Sequence, residues 1–179
     1  GEQYTTLPAV PPMPIWGTES AAQTKSQDLI LEPASAISDI GPQTTVVRCT
    51  PRAATTGAAQ ILLGRGGGGF VAYLHSAVGA PAIYDGTNLA LNGTAVVGGV
   101  PAVVATRYST GGGLGVCLNG GAIVTSSFDG SMGTAGTQGG VGHDGSGNAP
   151  FSGLIGSIEI ASTAMNDATF QRAALGLVA

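Results

Sequence analysis

The chain has 179 residues, enough for one well-buried core and small for two domains. Glycine is abundant at 31 residues and charged residues are only 9%, yet 43% of the residues are hydrophobic, which separates this chain from disordered, glycine-rich linkers. A net charge of −4 with a single lysine, Lys25, offers no basic stripe for nucleic acid. Glycine, proline and polar residues also interrupt every apolar run short of a membrane span. So few charges on a folded surface point to cover by neighbouring subunits, with the many Ser and Thr hydroxyls as the alternative means of keeping it soluble.

In chain order, residues 1–26 stand apart. Pro8, Pro11, Pro12 and Pro14 precede Ile15 and Trp16, the only tryptophan. Clustered prolines favour extended polyproline geometry, so this stretch reads as an arm that docks through Leu7, Ile15 and Trp16. Residues 27–179 form the domain. Within it, runs of alternating or apolar residues predict strands at 28–32, 44–50, 59–64, 70–75, 82–84, 88–91, 95–97, 102–108, 115–118, 122–126 and 154–160. Glycine and proline clusters separate many of them, as in a sandwich. Asn92-Gly93 and Asn119-Gly120 each stand between apolar segments and predict two-residue hairpin turns. Only the C-terminus is helical in pattern. Phe170, Ala173, Ala174, Leu177 and Val178 share one face, Asn166 suits the N-cap and Met165 can pack on Phe170. Cys49 and Cys117 each lie in an apolar strand and read as buried free thiols, with a bridge between them as the alternative.

Four segments in this order resemble the laminin-G-like group of concanavalin-A-like lectin/glucanase domains. Residues 44–51 (TTVVRCTP) look like the early strand leading into proline, and residues 60–74 (QILLGRGGGGFVAYL) like the strand, glycine turn and strand. Residues 102–124 resemble the central strand and Asn-Gly segment, and residues 141–160 the closing glycine loop and final strand. The resemblance implies an all-β fold: an antiparallel two-sheet jelly-roll sandwich with a short C-terminal helix, here preceded by an extended N-terminal arm. Val100-Pro101 stands where the family pattern has a tryptophan.

Catalytic readings fare poorly. Glucanases of this fold carry Glu-x-Asp-x-x-Glu on one strand, whereas Glu2, Glu19, Glu32 and Glu159 are scattered. The stretch from Gly64 to Gly69 matches GxGxxG, but the strand-like FVAYL follows it where phosphate binding needs a helix N-terminus. His75 and His143 have no nucleophile elbow to serve and read as solvated. Some relatives of this fold bind calcium at rim loops, so the resemblance implies Asp85, Asp129 and Asp144 as candidate calcium ligands; the same residues are also ordinary turn formers. A sugar site needs an aromatic platform beside amides and carboxylates. Tyr84, Asp85 and Asn88 form the best local set, joined by Asp144 and Asn148.

Two functions follow as expectations. The first is a non-catalytic virion structural or attachment module, whose partners would be other virion proteins, copies of itself and cell-surface polysaccharide. The second is a secreted carbohydrate-binding module.

Overall fold

The computed structural model describes residues 30–33, 41–66, 69–132, 138–144 and 149–176. The arm residues Leu7, Ile15 and Trp16 lie outside the described residues, as does Asn148.

Eleven strands and one helix follow one another: β1 (Ile30–Pro33), β2 (Gln43–Pro51), β3 (Gln60–Gly66), β4 (Gly69–Leu74), β5 (Pro81–Tyr84), β6 (Leu89–Leu91), β7 (Ala102–Ser109), β8 (Gly113–Leu118), β9 (Val124–Ser126), β10 (Gln138–Val141), β11 (Gly153–Ala161) and α1 (Asp167–Ala174). They build a six-stranded sheet in the order β1-β10-β3-β4-β5-β6 and a five-stranded sheet in the order β11-β2-β7-β8-β9. Every paired neighbour is antiparallel. The jelly-roll-type sandwich expected from the sequence is therefore the fold.

The main core lies between the sheets. Leu62, Leu63, Val71, Leu74 and Ile83 from one sheet meet Val47, Val104, Tyr108, Leu114 and Val116 from the other. Strand β2 shows how one sequence serves two layers. Its side chains alternate, so Val47 and Cys49 face this inter-sheet core while Val46 points to the opposite side. That opposite side is closed by α1, which lays Phe170, Ala173 and Ala174 on Val46, Ala105 and Cys117. The helix starts as the sequence predicts, with the Asn166 side chain accepting from the Thr169 N–H at 3.0 Å. It stops at Ala174, because Gly176 turns into the left-handed region at φ 75° and its N–H bonds the Ala173 carbonyl. Leu177 and Val178 lie outside the described residues.

The same alternation decides the cysteines. Cys49 faces the inter-sheet core and Cys117 faces the helix, on opposite sides of one sheet with β7 between their strands. Both are free and buried.

Three local expectations change. Residues 95–97 are not a strand: Val96 is buried in the main core and its N–H bonds the Gly79 carbonyl at 3.1 Å. This segment carries the chain from one sheet to the other, so Asn92-Gly93 opens a crossover and no hairpin. Its Asn92 side chain instead accepts from the Thr94 N–H at 2.9 Å. Only Asn119-Gly120 takes left-handed φ at both positions, 49° and 70°, closed by the Gly121 N–H on the Leu118 carbonyl. Finally, Gln138–Val141 becomes a strand that no apolar alternation announces. It forms because β1 and β3 pair with it on both edges.

Candidate functional site: an aromatic face on the six-stranded sheet

Cross-strand register places two rows of residues on the outer face of the six-stranded sheet, away from the core. In antiparallel ladders, directly opposed residues share a face. One row runs Gly64, Phe70, Tyr84, Leu89 across β3, β4, β5 and β6; the next runs Ile61, Tyr73, Ala82, Leu91. Ile61, Tyr73 and Ala82 are buried, with Phe70, Tyr84 and Leu91 packed against them and still partly exposed. The Phe70 ring meets Tyr73 edge-on at 5.3 Å and lies 6.1 Å from Tyr84. His75 stands 6.4 Å beyond Tyr73. The result is an aromatic strip with one side open, which is the raw material of a ligand platform.

Glycine sets one end of the strip. Gly64 has no side chain in the row, and the backbone of His143 and Asp144 occupies the place where one would stand, 2.6–2.7 Å from an ideal Cβ. The loop after β10 is pinned there by the Gly142 N–H on the Leu62 carbonyl and by the Ile61 N–H on the Ala149 carbonyl. Asp144 is therefore held against Gly64, the register partner of Phe70, and is half-buried. His143 is buried, contrary to the solvated reading, because its backbone is pressed onto β3.

The Tyr84–Asn88 turn sets the other end. The Tyr84 hydroxyl donates to the Gly86 carbonyl at 2.6 Å. Asp85 is 1% exposed, and its carboxylate accepts from the backbone N–H groups of Thr87 at 2.8 Å, Asn88 at 2.5 Å and Asp129 at 3.2 Å, and from the Asn88 side-chain amide at 3.1 Å. Burial alone would raise this carboxyl's pKa. The donors from Asn88, Thr87 and Asp129 outweigh burial and hold it below the usual range. Four hydrogen bonds use the lone-pair directions of a carboxylate, so Asp85 is the clamp of its turn. Asp129 is exposed, and its own carboxylate caps the Ser131 N–H at 3.1 Å.

The sequence-predicted residues thus divide. Tyr84, on β5, and Asp144, in the loop after β10 that rests on Gly64 of β3, border one face; Gly64 and Tyr84 are roughly 10 Å apart by strand spacing. Asp85 and Asn88 bond each other within the turn. Of the candidate calcium set, Asp85 and Asp129 adjoin each other while Asp144 stands across the strip. Among the described residues no three His, Cys, Asp or Glu side chains are grouped to hold a metal ion. The residues missed by sequence reasoning are Phe70 and Tyr73. Their alternation in FVAYL marked a strand, but only the pairing with β5 shows that they flank Tyr84.

No family model and no curated protein matches the sequence. Solved structures do match in shape. The CBM40 of the Ruminococcus gnavus IT-sialidase, bound to α2,3-sialyllactose, is similar with a TM-score of 0.56 at 18% identity, over 75% of this chain and 83% of that one. Domain 4 of AbnA, a GH43 extracellular arabinanase from Geobacillus stearothermophilus in complex with arabinotriose, gives 0.61 at 17% identity over 82% and 72%. These likenesses show the fold alone, an antiparallel β-sandwich. The Trypanosoma rangeli sialidase contains a similar sandwich, with a TM-score of 0.54 at 15% identity; the chain matches 23% of that protein's length. Among the described residues of this sandwich, no helix is long and apolar enough to cross a membrane. Its isolated Glu159 is exposed on β11 and ion-paired with Arg48, an arrangement of a strand surface and not of an acid–base pair.

Proposed function

We propose that this domain is a non-catalytic carbohydrate-binding module that works outside the cell and binds glycan on the outer face of its six-stranded sheet. The observation that carries the reading is the half-exposed Phe70–Tyr84 pair, set in one cross-strand row with Asp144 beside it. Sugar rings present apolar C–H faces and polar edges. A flat aromatic strip takes the first, and a carboxylate with a few amides takes the second. The shape shared with glycan-bound domains of a sialidase and an arabinanase supports the same reading. No observation on the described residues favours the virion module expected from the resemblance and the neutral composition, whose arm lies outside them.

The test is a saccharide array followed by titration calorimetry with the best binder. Phe70→Ala and Tyr84→Ala should each weaken binding by about tenfold or more while circular dichroism stays that of the parent. Unchanged affinity in both variants sinks the assignment of this face.

A further inference from the structure

The charge on the ligand can be read from where the chain keeps its cations, given that the sheet face is a glycan site. The sequence holds six basic residues other than histidine: Lys25 and five arginines. Lys25 lies outside the described residues. Each arginine has a place. Arg48 is ion-paired with Glu159 across β2 and β11 of the five-stranded sheet. Arg107 is paired with Asp167, donates to the Met165 carbonyl at 2.5 Å and stacks 4.8 Å over Phe170, all beneath α1. Arg172 is on α1 itself. Arg52 lines a groove with Thr50, Gly99 and Leu154 at one end of the sandwich. Arg65 follows Gly64, so strand alternation turns it away from the aromatic row. It is buried and donates to the carbonyl of the core residue Met132.

The aromatic face therefore has carboxylates nearby and no arginine. Asp144 borders the strip at Gly64, and exposed Asp129 stands beside Asp85 at the end of β5. Proteins that recognise a carboxylate or sulfate ordinarily meet it with an arginine fork or a lysine. An anionic sugar laid on Phe70 and Tyr84 would lose hydration without an arginine to meet its charge.

We infer that the site takes an uncharged saccharide, a neutral pentose or hexose chain, with ring faces on Phe70 and Tyr84 and hydroxyls donating to Asp144. In this respect it departs from the sialyllactose-bound CBM40 with which it shares a fold.

The test uses the full chain against neutral probes (arabino-, galacto- and gluco-oligosaccharides) and anionic probes (sialyllactose and oligogalacturonate), at about 50 mM and about 500 mM NaCl. Expected is a preference for a neutral probe of about tenfold or more, with affinity changing less than about twofold between the two salt concentrations. Equal or tighter binding of an anionic probe that Phe70→Ala abolishes overturns the charge inference while leaving the site standing. Neutral binding that Phe70→Ala and Tyr84→Ala leave intact overturns the site, and the inference with it, as does binding of no probe at all.

Discussion

Gly64 and Asp144 are in backbone contact: an ideal Cβ on Gly64 would lie 2.7 Å from the Asp144 Cα. The bare backbone of β3 is thus the seat on which Asp144 rests, next to the register partner of Phe70.

Gly64→Ala is expected to push this loop off the strand. Because the obstacle is backbone and not a flexible side-chain tip, the cost should be about 1–3 kcal/mol, read as a lowered urea midpoint. Saccharide affinity should fall together with stability. A variant with parental stability and affinity would show that the loop does not need the missing side chain.

Asp85→Asn tests the turn clamp. The amide keeps one acceptor oxygen but sets an NH2 against the Asn88 side chain and the Asp129 N–H, so the loss should be about 1–3 kcal/mol at neutral pH. The folded carboxyl has a lowered pKa, so its stabilisation is present above the unfolded value of about 3.9 and is lost as pH falls through the folded value. The gap between parent and variant should therefore close below about pH 4 in denaturation curves. A gap that persists unchanged into strong acid would contradict the assignment.

Tyr73 gives the alkaline counterpart. Burial, and next the neighbouring Tyr84, push its phenol up to about 12. The fold favours the neutral phenol, so this contribution is full below the unfolded value of about 10 and is lost as pH rises through about 12. Ultraviolet titration should show Tyr73→Phe removing a late-ionising phenol. Removal of one that titrates near 10 would mean that the strip is more open than described.

Phe170→Ala should cost about 3–5 kcal/mol, since the ring is fully buried between α1 and the five-stranded sheet and also carries Arg107 on its face. The helix would lose its anchor while the inter-sheet core stayed intact. Amide exchange should thus rise first in Asp167–Ala174.

The two thiols should resist a bulky disulfide reagent until the protein unfolds. Burial raises the Cys49 pKa to about 11 and also raises that of Cys117, so neither offers thiolate near neutrality. Rapid labelling of the native protein would contradict their placement.

The sequence by itself determined the sandwich, most of its strands and the start of the helix, because these rest on local rules: alternation in TTVVRCT, the glycine turn before FVAYL, and an asparagine cap three residues ahead of Thr169. It also determined the scarcity of cations, since composition does not depend on folding. It did not separate Asn92-Gly93 from Asn119-Gly120. Both have the same turn chemistry, and burial of Val96, a long-range event, makes the first a crossover between sheets. The β10 strand was hidden for the same reason, as its glycines pair only because β1 and β3 lie on either side. The tertiary structure alone decided the site. Phe70 and Tyr84 are fourteen positions apart in the chain and become neighbours through the register of β4 on β5, and Asp144 reaches the same face only across Gly64. Local propensity can make a strand, but which side chains share a face across strands is fixed by pairing register, and that is set by the whole core.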